Sequence, residues 1–296
     1  MRILLHDYYT AGGQPADATE QAQVAVFRAL VAALAVDLGR LAGHEVRLST
    51  AWEGATWEDD LAWAEGVLLL APETDDRLAD LAEQVEAAGR RLLGPSAATV
   101  RLCSDRMGLT LALGEAGLPV PRAWTIDFAR EDQVTRIASR MGYPLVVKPL
   151  AGAGGRGVSL ARDAAELEAA IAAAQAVTTW ESFLLQEYVP GLAAGVGLVV
   201  AGGRALPLGL WGALVSEPPV LTVERCATPL DHPGLEAAVA LAERAALAVP
   251  GLVGYVEVDL ILAEGGPRVL EVATRPTLGT LALRRSRGLN LAELIL

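Results

Sequence analysis

Glu257, Asp259 and Glu271 stand in two segments whose spacing could gather acidic groups for chemistry. In GYVEVDLIL the two-residue period of an extended chain puts Tyr255, Glu257, Asp259 and Ile261 on one face, and Val256, Val258, Leu260 and Leu262 on the other. In RVLEVATRP the same period groups Val269, Glu271 and Ala273, with Leu270 and Val272 opposite. If these strands are neighbours, the three carboxylates converge. They then repel one another unless a cation intervenes, and hard oxygen ligands suit magnesium, which bridges them to nucleotide phosphates. The plain alternative is a solvated sheet face with arginine partners.

A second feature could bind phosphate. Of 24 Lys and Arg residues a single one, Lys148, is lysine, and Asn290 is the single asparagine, a bias expected of a GC-rich genome. A lysine retained against that bias marks a place where a planar guanidinium cannot replace a compact ammonium. Lys148 ends the strand-like YPLVVKP and precedes a loop containing Gly152, Gly154, Gly155 and Gly157. Such a loop lets the backbone approach a ligand, and its N–H groups can cradle phosphate oxygens beside the lysine charge. It lacks the Gly-Lys-Ser/Thr of a P-loop and the Rossmann glycine spacing, and a flexible hairpin is the alternative. Further on, QEYVPG reads as a strand end running into a Pro-Gly turn, a form that presents backbone groups to a flat ring.

The elements that must position these residues fall into two patterns. Over residues 1 to 96, the strands MRILLHDYY, HEVRLST, AEGVLLLAPE and RRLLGPS alternate with helices. One helix is long and apolar, and DDRLADLAEQVEAAG has a capping-type acidic start; together they predict a small doubly wound parallel sheet after the turn-like TAGGQPAD. GPSAATVRL reads as a boundary into a helix. Beyond it come strand, glycine loop and strand, the helix DAAELEAAIAAAQA, the strand FLLQE, a hairpin folded at AGGRA, the helix PGLEAAVALAERAALAV and the two acidic strands. Strands joined by short turns predict α+β lobes with antiparallel sheets.

Composition narrows the function. A net charge of −12 and the absence of a basic run argue against nucleic acid. Cys103 and Cys226 lack metal or redox spacing and read as ordinary buried thiols. The segment AQVAVFRALVAALAVDLGRL has the length of a membrane span, but Arg28 and Asp37 within it predict an amphipathic, mostly buried helix and no membrane role. With no basic leader, the expected location is the cytoplasm.

SDR at Ser104 to Arg106, YPLVVKP, GAGGRGV, QEYVPG, GYVEVDLIL and LEVATRP, in this order and spacing, resemble the ATP-grasp superfamily. The ends MRILLHDYYTAGG and RPTLGTLALRRSRGLNLAELIL are similar to its tyramine–glutamate ligase branch, of methanofuran-type cofactor biosynthesis. The resemblance implies an α/β and α+β chain: a Rossmann-like domain over 1–96, then an ATP-grasp fold with a small lobe over 97–183 and a large lobe over 184–296. It implies ATP and magnesium. Arg106, Lys148 and the glycines 152, 154, 155 and 157 would contact phosphates; Gln186, Glu187, Tyr188 and Val189 would meet adenine; Asp259 and Glu271 would hold the metal. The implied reaction joins a small-molecule carboxylate, glutamate or another amino acid, to an amine through an acyl phosphate. A homodimer is left open.

Four departures from the family pattern stand out. Arg106 replaces a usual lysine, Ala273 replaces the asparagine of Glu-x-Asn, Gly195 and Gly197 replace small polar residues of the branch, and Glu257 stands where relatives often have a small residue. Glu257 is expected either to supply the oxygen that Ala273 removes or to bind a substrate amine. Arg275 is expected at an anionic substrate group or a phosphate, with a structural salt bridge as the alternative. Two readings of function follow: an active ligase, with Lys148, Arg275 and Glu257 at the chemistry, or a degenerate relative that binds nucleotide or a partner without turnover.

Overall fold

The computed structural model describes residues 1–15, 18–49, 56–152 and 154–296. Ala16, Asp17, Thr50 and Ala153, which fall within stretches read above, lie outside the described residues.

The amino-terminal part is a parallel sheet. Its strands β1 (Arg2–Asp7), β2 (Glu45–Ser49), β3 (Gly66–Leu70) and β4 (Arg91–Leu92) are ordered β2-β1-β3-β4. Ile3, Leu4 and Leu5 are buried because helices cover both faces, as a parallel sheet requires. Helix α1 (Ala18–Gly39) lies on one face through Phe27, Leu30, Leu34 and Leu38. On the other face lie α2 (Trp57–Trp63), started by a Thr56–Asp59 capping box, and α3 (Arg77–Ala87).

Two expectations need correction here. Helix α1 is neither mostly buried nor amphipathic: Ala22, Ala25, Ala29, Ala32 and Val36 form an apolar outward face. By length and composition it could cross a membrane, yet its other face is part of the sheet's core. The acidic start of α3 is not a side-chain cap. Asp75 and Asp76 instead adopt positive φ (54° and 56°) at a sharp turn out of Glu73, and Asp76 makes no capping bond.

Helices α4 (Ala97–Ser104) and α5 (Arg106–Glu115) follow, capped by Ser96 and Asp105. The small lobe is an antiparallel sheet ordered β5-β8-β6-β7, with β5 (Ala123–Asp127), β6 (Leu145–Pro149), β7 (Ser159–Ala161) and β8 (Ser182–Glu187). Helices α6 (Glu131–Met141) and α7 (Ala164–Gln175) accompany it, and the core includes Leu145, Val147, Phe183 and Leu185. Because β8 pairs with β5 as far as Gln186 and with β6 as far as Glu187, this sheet continues past residue 183, the expected boundary.

The large lobe is an antiparallel sheet ordered β11-β10-β9-β12-β13. It contains β9 (Leu192–Ala201), β10 (Arg204–Val215), β11 (Val223–Ala227), β12 (Gly254–Ala263) and β13 (Gly266–Ala273). Helix α8 (Leu235–Ala248) packs on the face carrying Val256, Val258, Leu260 and Leu262, the face that the alternation assigns to the core. The last helices, α9 (Leu278–Arg287) and α10 (Leu291–Ile295), turn back to the amino-terminal domain, where Leu291 and Ala292 share a core with α1.

Candidate functional site

Antiparallel pairing brings the acidic strands together as their periodicity anticipates. Asp259 lies opposite Glu271, and Glu257 lies opposite Ala273, on neighbouring strands β12 and β13. Strand β9 continues these rows with Gly195 beside Asp259 and Gly197 beside Glu257, and β10 adds Trp211 beside Gly195. Paired residues point to the same side, so Trp211, Gly195, Asp259 and Glu271 make one row across this face.

The three carboxylates do not share a centre. Glu257 is fully buried and faces α9: Oε2 accepts from Thr277 Oγ1 at 2.5 Å, while Oε1 accepts from Tyr255 Oη at 2.7 Å, from Thr277 N at 3.3 Å and from the Thr280 hydroxyl. Its role is to anchor the first turn of α9. This corrects the expectation of a compensating metal ligand or amine acceptor, because the acceptor positions are already engaged. Arg275 is corrected likewise: its Nε and Nη2 donate to Glu73 Oε2 at 2.9 and 2.6 Å, and the guanidinium lies 5.0 Å from the Phe27 ring centre. The salt-bridge alternative describes it.

Asp259 and Glu271 form the remaining pair. Asp259 Oδ1 is buried without a hydrogen-bond partner. Burial, then repulsion from Glu257 and Glu271, pushes its pKa well above the usual carboxylate range, against the pull of Lys148. Burial also pushes Glu271 up, but the charge of Arg106, then Lys148, and the Arg106 hydrogen bond outweigh it and hold this group below its ordinary value. Lys148 reaches the site from β6 of the other lobe, its Nζ 3.8 Å from Glu271 Oε1. Burial lowers its pKa, opposed by Glu271, reinforced by Arg106, and opposed again by Asp259.

No three of His, Cys, Asp and Glu form a metal cluster among the described residues. The pair nevertheless suits a hard cation: an unpartnered carboxylate oxygen on Asp259 faces the register position of a second carboxylate, Glu271. Ala273, beside Glu257, adds no donor.

The glycine-rich loop leaves β6 after Pro149, one residue beyond Lys148. Gly152, Gly154, Gly155 and Gly157 all have positive φ (138°, 67°, 76° and 69°), so each occupies backbone space that other residues enter at a cost. Arg106, at the start of α5, is buried against this loop: Nη1 donates to Pro149 O at 2.8 Å, Nη2 to Gly152 O at 2.7 Å, and Nε to Glu271 Oε1 at 2.9 Å. In the same sheet, Gln186 is buried near the end of β8, opposite Val146 of β6. Glu187 pairs with Arg122 at 2.5 Å and Arg268 at 3.6 Å, Tyr188 N donates to Pro144 O at 3.4 Å, and the chain passes through Val189 to β9. This crossing joins the small-lobe sheet to the large-lobe sheet.

The ATP-grasp domain family matches residues 103–279, more than half of the chain, and the pre ATP-grasp 3 domain family matches residues 24–100. The chain belongs to the ATP-grasp family. Its ATP-grasp domain thus begins just before Arg106 and ends within the first turn of α9, enclosing all the residues described above except Phe27, Glu73 and Thr280. Biotin carboxylase of Haemophilus influenzae is 39% identical over 102 residues, covering 33% of this chain and 22% of that protein. Cyanophycin synthetase of Geminocystis herdmanii is 29% identical over 195 residues, 63% of this chain and 22% of that protein. The chain therefore spans about a fifth of the length of these relatives. The crystal structure of D-alanine–D-alanine ligase from Bacillus anthracis complexed with ATP shares the ATP-grasp fold, with a TM-score of 0.73 at 19% identity, covering 100% of this chain and 96% of that one. A RimK domain protein from Sphaerobacter thermophilus aligns with a TM-score of 0.66 at 24% identity, covering 100% and 98%.

Several residues that shape this ATP-grasp site are not evident from sequence spacing. Trp211 lies over Gly195 and Gly279, where an added Cβ would collide with its indole, and a Cβ at Gly197 would meet Leu283 and Tyr255. Gly195 and Gly197 are therefore small because large side chains from β10, β12 and α9 cover them. Glu73, Thr277 and Thr280 became visible only with the fold; the capping-type Thr277-x-x-Thr280 was their one signal in the sequence.

Proposed function

We propose that the protein is an ATP-dependent carboxylate–amine ligase that forms an amide bond through an acyl phosphate. The observation that carries this reading is the meeting of the single lysine, beside a loop of four positive-φ glycines, with the facing pair Asp259 and Glu271 from the other lobe. Cation and loop suit phosphates, and the carboxylate pair suits magnesium. Asp259 and Glu271 would hold that ion, which supplies charge neutralisation for phosphoryl transfer. A carboxylate has no adequate leaving group until it is phosphorylated, so a site that positions phosphates beside a substrate carboxylate prepares attack by an amine. Gln186 to Val189, at the lobe crossing, would border the adenine. Glutamate or another amino acid as one substrate, in a small-molecule or cofactor pathway, rests on the resemblance of the chain ends to the tyramine–glutamate ligase branch.

A second reading, nucleotide binding without turnover, is favoured by Ala273 and by the engagement of Arg106 with carbonyls and Glu271. ADP release by the purified protein with ATP and magnesium, measured across a panel of amino acids and amines, separates the two. Substrate-dependent ADP is expected. Its absence together with thermal stabilisation by ATP supports the binding protein, and no ATP effect of either kind overturns both.

A further inference from the structure

The family resemblance assigns Arg106 to phosphate, in place of a lysine. Its geometry points elsewhere. The side chain is 6% exposed, and three of its N–H groups are directed to three different acceptors, Glu271 Oε1, Pro149 O and Gly152 O, at 2.9, 2.8 and 2.7 Å. Its own backbone N–H donates to Leu150 O at 3.1 Å. Positions 149, 150 and 152, where β6 runs into the glycine-rich loop, are thus all held by one residue. That residue is itself fixed, because Asp105 caps α5 by accepting from Met107 N and Gly108 N.

We propose that Arg106 is a positioning residue whose planar fork ties the glycine-rich loop to Glu271 across the cleft, acting through them and not as a phosphate ligand. The inference rests on the cleft being the nucleotide site. Gly152 has a φ of 138°, and the carbonyl of this unusual backbone is one of those gripped. A guanidinium presents its donors in a rigid plane and can bind a carboxylate and two carbonyls at once. A lysine ammonium is a point donor on a flexible stem and cannot span the same three acceptors. The charge also neutralises Glu271 before any metal arrives, so loop position and carboxylate position are set together.

The test is Arg106→Lys, which keeps the charge and removes the fork. In the empty protein, hydrogen exchange of peptides covering residues 150–158 is expected to accelerate about 10-fold or more, the scale of losing charge-assisted hydrogen bonds. Peptides from the large-lobe core at 196–200 and 256–262 serve as controls and keep wild-type rates. The Kd for AMP-PNP with magnesium rises by about 10-fold, since the loop must then be ordered by the ligand. Arg106→Gln, planar and uncharged, is read the same way and covers a lysine variant that does not fold. If Arg106 were a phosphate ligand, Arg106→Lys would bind AMP-PNP as well as or better than wild type with unchanged loop exchange, and that result overturns the proposal alone. Wild-type protein that binds no AMP-PNP overturns the nucleotide reading and this role with it.

Discussion

At the scale of single residues, Glu257 shows how burial decides a role. A carboxylate on the same side of its strand as Asp259 is chemically able to bind a cation, yet this one is closed in by Tyr255, Thr277 and Thr280. Glu257→Gln is therefore expected to leave the magnesium dependence of any ATP turnover unchanged, and a shifted magnesium requirement in a titration would restore it as a ligand. Glu257→Ala strands several buried donors and is expected to cost about 3 kcal/mol in urea unfolding. Gly195→Ser and Gly279→Ala each push a side-chain atom into the Trp211 indole. A loss of about 1–3 kcal/mol is expected for each, and an unchanged melting temperature would show that the indole has room to move.

At the scale of elements, strands place the chemistry and helix ends orient it. Strands β12 and β13 put Asp259 opposite Glu271, and the register shift between Asp259 and Leu260 re-aligns the remainder of the pair. The parallel strand β1 has a different vulnerability. His6, near its carboxyl end, is buried with Nδ1 unpartnered, its ring 4.4 Å from that of Trp57. Burial lowers its pKa from 6.5 to about 4, against the attraction of Asp60. The folded state then resists a proton that the unfolded chain accepts below pH 6.5, so this contribution is complete above 6.5 and is lost as the pH falls towards 4. The loss amounts to about 3 kcal/mol for a shift of this size. Urea midpoints between pH 7 and 4 should fall more steeply in wild type than in His6→Gln, and parallel curves would refute the assignment.

At the scale of the whole molecule, the amino-terminal domain and the large lobe are bound by buried charge pairs. Arg284 donates to both oxygens of fully buried Asp37 at 2.8 and 2.6 Å, Leu291 N donates to the same carboxylate at 3.1 Å, and Arg275 grips Glu73. Tyr255, Val199 and Leu208 of the large lobe share a core with Ile3 and Phe27 of the amino-terminal domain. These parts should unfold together. Removing one partner exposes the cost of an uncompensated buried charge, so Arg284→Ala is expected to lose about 3–5 kcal/mol with a single transition retained by probes in both parts. Two separated transitions in the wild type would contradict the coupling.

Much of this was legible in the sequence because period-two alternation is a local property. The inward face of β12 and the glycine loop after Lys148 follow from residue types and spacing over fewer than a dozen positions, and Asp259 meets Glu271 once the two strands are neighbours; on β13 the register shift carries Val269, which the alternation groups with Glu271, to the core side with Val272. The solvent-facing alanines of α1 and the uncapped start of α3 were misjudged from equally local patterns, because what covers a helix is settled by its neighbours. The tertiary structure alone decided which charges meet. Arg106 and Glu271 are 165 positions apart, Arg275 and Glu73 202, and Arg284 and Asp37 247. An arginine reads the same in sequence whether it faces a phosphate, a carbonyl or a carboxylate; only the folded chain supplies the acceptor, and the acceptor determines what the guanidinium does.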